Sequence, residues 1–133
     1  MELNLPQYDF LLKKDKDKTF IFDSLRNKFV TLTPEEDVRQ RFVATLISQK
    51  GYPAGRIGNE ISLKLNNTKR RCDTVVYDKF GDTCVIIEYK APNIEITQEV
   101  FDQITRYNSV LKVNYIIVSN GIRSREVPFD GSL

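Results

Sequence analysis

Apolar residues recur along this chain with two periods, and the switches between them mark the elements. Over residues 72–90, CDTVVYDKFGDTCVIIEYK, two runs rich in valine, isoleucine and tyrosine flank Gly81. This is the pattern of two strands and a tight turn, with Phe80 and Gly81 as loop residues. Positions 75, 76 and 85–87 are all valine or isoleucine, so neither face is polar, as in a strand covered on both sides. Residues 57–65 alternate, with Ile61, Leu63 and Leu65 against Ser62 and Lys64, and read as the first strand of the same sheet. Residues 113–119 are a further apolar strand, closed by Asn120-Gly121. The helical period appears twice. Thr33 is a good N-cap, Pro34 suits the first helical position, and Val38, Phe42, Val43, Leu46 and Ile47 form a stripe that ends before Gly51 and Pro53. A second helix runs from a Thr97 cap to about Leu111, with Val100, Phe101, Ile104, Tyr107 and Leu111 on one side. Strand, helix and strand over 84–119 make a parallel βαβ unit.

The N-terminus is less regular. Tyr8–Leu12 and Lys18–Phe22 are short apolar runs around the charged KKDKDK, read as a hairpin with its loop at 13–18, and 24–30 reads as a linker. The pattern predicts an α/β fold: a mixed central sheet of about four strands flanked by two helices, with an N-terminal hairpin. Residues 1–30 form the leading segment, 31–121 the core and 122–133 a tail or short strand, all in one domain.

Composition narrows the chemistry. The 133 residues contain no histidine, which excludes His-based triads and His–zinc sites. Net charge is +2, so affinity for nucleic acid has to come from localised basic residues. No basic segment leads into an apolar run at the N-terminus, and no stretch approaches a membrane span, so the expected location is cytoplasmic. In the predicted register Cys72 and Cys84 stand far apart along the hairpin, which favours reduced thiols.

The predicted turn sets Asp73 opposite Glu88, and directly opposed residues share a face with Cβ atoms ~5 Å apart. Lys90, two residues on, joins that face. Two carboxylates this close raise each other's pKa unless a cation joins them. Oxygen-only ligands suit Mg²⁺, which takes one or two carboxylates together with a phosphate oxygen. The alternative is an Asp–Lys–Glu ion cluster on a solvated face, which the apolar neighbours disfavour.

An Asp, a short hairpin and Glu-x-Lys on the next strand resemble the PD-(D/E)XK nuclease motif, with Cys72 where the name has proline. TPEEDVRQRF, KRRCDTVVYD, IIEYKAP, FDQITRYN and IIVSNG, in this order and spacing, resemble the N-terminal endonuclease domain of type I restriction enzyme R subunits, over roughly residues 20–121. The resemblance implies a restriction-endonuclease-like core and a DNA endonuclease dependent on Mg²⁺ or Mn²⁺. Asp73 and Glu88 would hold the metal and Lys90 would stabilise developing charge. It further implies a carboxylate from the first helix, and Glu36 takes that place. Glu36 also fits a capping box with Thr33, and Glu35 projects onto the same stripe, so the choice between the two acids stays open. Gln103 and Tyr107 match the family's Gln-x-x-x-Tyr element, with Gln103 orienting catalytic groups or phosphate and Tyr107 supporting the site. Lys69, Arg70 and Arg71 precede Asp73 and are candidates for holding DNA phosphates, or a charged loop. There is no G-x-x-x-x-G-K-[ST] loop, so a separate motor or specificity subunit is the expected partner beside DNA. The competing class is a silent DNA-binding or structural subunit on the same fold.

Overall fold

The central strands are built from the β-branched runs that the sequence pattern marks. The computed structural model describes residues 3–65, 67–107, 111 and 113–128. Three short strands come first: β1 (Leu12–Asp15), β2 (Lys18–Asp23) and β3 (Lys28–Thr31), antiparallel in that order. Helix α1 spans Pro34–Ser48. Then follow β4 (Ile57–Leu65), β5 (Thr68–Tyr77), β6 (Thr83–Tyr89), α2 (Gln98–Tyr107), β7 (Tyr115–Ser119) and β8 (Ser124–Pro128). The second sheet has the order β4-β5-β6-β7-β8. Among the described residues only β6 and β7 run parallel, as expected for strands joined through a helix.

Three expectations are corrected. Residues 28–31 form a strand where a linker was expected, because Phe29 packs edge-on against Phe22 across the β2–β3 pair. The sheet has five strands where about four were expected, because Ser124–Pro128, in the stretch read as a tail or short strand, pairs with β7. The β5–β6 turn is wider than Phe80-Gly81. Its register shifts between Val76 and Tyr77, and Asp78 closes the loop by accepting the Phe80 and Asp82 amides on Oδ1. Before that bulge the pairs Thr74↔Ile87, Val75↔Ile86 and Val76↔Val85 keep the expected register.

Alternate residues of β6 enter two apolar clusters. Val85, Ile87 and Tyr89 join Val38 and Val43 of α1, whereas Ile86 joins Val75, Cys72, Leu111, Val113 and Ile116. A central strand buried on both sides is therefore what positions the residues that follow it. The α1 start is set as expected, with Thr33 Oγ1 accepting the Glu36 amide at 3.0 Å. The loop after β6 is fastened by Asn120, whose side-chain amide donates to the Ile94 carbonyl at 2.7 Å. Gly121 has a φ of +84°, and a Cβ there would lie 3.1 Å from Val38 and 3.0 Å from Leu3. Close approach and left-handed backbone together call for glycine. Among the described residues no helix is long and apolar enough to cross a membrane.

Candidate active site

A cleft of about 360 Å³ opens where α1, β5, β6 and α2 meet. Glu35, Asp73, Glu88, Tyr89, Lys90, Gln103 and Ile104 line it. Each charged group arrives from a different local cause. Asp73 lies just past the last paired residues of the β5–β6 ladder, and its Oδ2 accepts the Tyr89 amide at 2.9 Å. Glu88 and Lys90 are two apart at the end of β6, on the same side by strand alternation. The Lys90 amide donates to the Ser119 carbonyl at 2.9 Å, which ties this end to β7. Glu35 projects from the first turn of α1. The side of α2 reaches the cleft through Gln103 and Ile104.

The electrostatics separate the two acids of the first helical turn. Glu35 is held above the usual carboxyl range by partial burial and by the Asp73 carboxylate, with Lys90 and Arg39 opposing. Glu36 is buried and points elsewhere. Its oxygens accept Arg39 Nη2 at 2.6 Å, Arg39 Nε at 2.9 Å, Arg26 Nη2 at 2.9 Å and Gln40 Nε2 at 3.0 Å. Burial pushes the Glu36 carboxyl up, and these bonds overrule it and hold it below the usual range. Of the two first-helix acids left open by the sequence, Glu35 lines the cleft and Glu36 does not. Arg39 and Gln40, three and four residues after Glu36, were the signal that its carboxylate has partners on its own helix.

Arg39 also reaches Glu60 at 2.8 Å and the Asp73 carbonyl at 3.0 Å. Glu60 sits beside Asp73 in the sheet with a φ of 56°, a left-handed conformation unusual for a non-glycine residue. Its other oxygen accepts Arg71 Nε at 2.8 Å. Lys69, Arg70 and Arg71 belong to β5, not to a loop, and lie outside the cleft lining. Lys69 and Arg71 are exposed, and Arg70 donates to the Lys69 carbonyl. Tyr107 is the last residue of α2, and its side chain lies outside the described residues. Both cysteines are free. Cys72 is buried, and burial with the Glu88 and Asp73 charges pushes its thiol up to about 12.

The match to known families decides what this arrangement belongs to. Residues 34–128 match the family of the type I restriction enzyme R protein N terminus (HSDR_N). The chain belongs to this family. No curated protein matches it. All the cleft residues of this R-protein N-terminal domain fall inside the matched span, whereas Asp23 and Arg26 precede it.

Proposed function

We propose that this R-protein N-terminal domain is a Mg²⁺- or Mn²⁺-dependent DNA endonuclease of the PD-(D/E)XK type. One observation carries the reading: Asp73, Glu88 and Lys90 line one cleft, joined there by Glu35 and Gln103. The donors are oxygen-only. Among the described residues no three acidic or cysteine side chains are grouped so as to hold a metal ion by themselves, so the ion would depend on two carboxylates completed by water and a phosphate oxygen. Such a set suits Mg²⁺. Asp73 and Glu88 would hold the ion, which supplies Lewis-acid stabilisation of charge on the phosphoryl oxygens.

The remaining steps belong to the protein. Lys90 meets the negative charge that grows on the phosphate. Gln103 donates to a non-bridging oxygen and fixes the phosphate for in-line attack by water. The attacking water must lose a proton to a group in the cleft, and the leaving oxygen takes one from bulk water. Glu35, whose carboxyl favours the proton more than an ordinary one does, is the cleft group suited to accept it. Lys69, Arg70 and Arg71 on β5 would hold the DNA backbone without reading its sequence. Motor and specificity functions of a type I complex would lie outside this domain.

The test is plasmid cleavage with Mg²⁺ or Mn²⁺, run beside Asp73→Ala. The expected result is metal-dependent nicking or linearisation that the substitution lowers by more than about 100-fold. Cleavage that survives Asp73→Ala sinks the assigned site. Salt-sensitive DNA binding with no cleavage marks a silent DNA-binding domain instead.

A further inference from the structure

Asp73 is gripped at two atoms, and both grips trace back to a single residue outside the family match. One arm runs through charge. Arg26 Nε donates to Asp23 Oδ2, Arg26 Nη2 donates to Glu36 at 2.9 Å, Arg39 binds Glu36 through two nitrogens, and Arg39 Nη1 ends on the Asp73 carbonyl. The other arm runs through neutral groups. Asn59 Nδ2 donates to Asp23 Oδ2 at 3.0 Å, the Thr74 hydroxyl donates to Asn59 Oδ1 at 2.7 Å, and the Tyr89 hydroxyl donates to Thr74 at 3.0 Å. The Tyr89 amide then donates to Asp73 Oδ2. The ring is closed, and every member except Arg26 and Asp73 is below 10% exposed.

We propose that this ring fixes the orientation of the Asp73 carboxylate, with Asp23 and Arg26 of the β2–β3 hairpin as positioning residues for the metal-holding site. The inference rests on the reading of Asp73 as a metal-holding carboxylate, but the ring itself is measurable without any metal. A carboxylate clamped at its backbone carbonyl and at one oxygen keeps its other oxygen aimed into the cleft. Arg26 spans Asp23 and Glu36 with two nitrogens of one planar group, a reach that a single ammonium does not reproduce. Polar networks of this kind strengthen cooperatively when every member is satisfied. Loosening either arm should therefore be felt at Asp73 before it is felt by the rest of the sheet.

The experiment reads the Tyr89 amide by NMR, as proton shift and hydrogen-exchange rate, in the wild-type chain, Arg26→Gln and Thr74→Val. Neighbouring amides of β6, a strand paired on both sides, serve as the internal reference. Each variant should speed Tyr89 exchange severalfold, up to about tenfold, beyond any change at Ile86 and Ile87. Each should also raise the Mg²⁺ concentration needed for half-maximal cleavage while leaving the rate at saturating Mg²⁺ closer to wild type. If Arg26→Gln does not fold, Arg26→Lys carries the same expectation with the charge retained. Tyr89 exchange that rises only in step with Ile86 and Ile87, or does not change, overturns the ring. If Tyr89 responds as expected but the wild-type chain never cleaves DNA, the ring stands and the nuclease reading falls. If the wild type cleaves and Arg26→Gln matches it in metal dependence and Tyr89 exchange, the nuclease reading stands and the ring falls.

Discussion

Two adjacent glutamates at the start of α1 have opposite physical roles, and removing their charges should separate them. Glu36 satisfies Arg26, Arg39 and Gln40 in a buried setting. Glu36→Gln leaves two guanidinium groups without their shared anion, which costs on the order of 3 kcal/mol. Glu35 stays solvent-exposed, and its carboxyl is raised by partial burial and by Asp73. A raised acid contributes stability that is present below its unfolded pKa and is lost as pH rises through the folded one. Its charge is therefore mildly unfavourable at neutral pH, and Glu35→Gln should leave the urea midpoint unchanged or slightly higher. The same variant should weaken cleavage and shift its pH profile. Paired urea melts and pH–rate curves decide this. A large stability loss in Glu35→Gln with none in Glu36→Gln would reverse the assignment.

At the scale of elements, what could be read from the sequence is what rests on local periodicity. β4 is observed at the predicted residues 57–65, and the β5–β6 register holds up to the bulge, because β-branched runs fix a strand and its pairing. The convergence of residues 73, 88 and 90 on one cleft follows from that register. β3 was missed although apolar alternation stands on both sides of residues 24–27. The turn chemistry lies in Asp23, whose Oδ1 caps the Leu25 and Arg26 amides, and in left-handed Asn27. Asp23–Arg26 and Glu36–Arg39 are local pairs three residues apart, but Arg26–Glu36, Arg39–Glu60 and Arg71–Glu60 join residues distant in sequence and were not legible before the chain is packed. These pairs give the junction of β2, α1 and β4 a pH dependence. Burial pushes all three carboxyls up, but Asn59 and Arg26 at Asp23, Arg39 at Glu36, and Arg71 and Arg39 at Glu60 hold them below the usual range. A depressed acid contributes stability above its unfolded pKa that is lost as pH falls through the folded value. Stability should be nearly flat from neutral pH to about 5, then fall below about 4 with up to three protons taken up on unfolding. Urea melts across that range check the slope. A flat profile down to pH 3 would mean that these contacts carry no net stabilisation.

For the whole molecule, the family match begins at Pro34, yet the physical unit does not. Leu3, Leu5 and Leu25 pack against the core cluster that contains Val38 and Val43. The Asn4 amide donates to the Gly121 carbonyl at 2.8 Å, and Leu3 lies against Gly121 itself. Asp23 and Arg26 supply the buried partners of Asn59 and Glu36. Deleting residues 1–32 spares every cleft side chain and the Thr33 cap, so a match-based boundary would treat the cut as harmless. The packing predicts otherwise. Three half-buried leucines leave the core, each contributing less than the roughly 1.5–3 kcal/mol of a fully buried one, and two buried polar groups lose partners at about 1–3 kcal/mol each. Those losses approach the roughly 5–15 kcal/mol that separates a folded domain from its unfolded chain. The shortened chain should therefore lack a cooperative thermal transition and dispersed amide resonances, and should not cleave DNA under conditions where the longer chain does. A truncated chain that melts within a few degrees of the parent, by circular dichroism, would show that the N-terminal sheet is an accessory. In that case the support of Asp73 would come from Arg39 of α1 and the Tyr89 amide of β6 without the hairpin behind them.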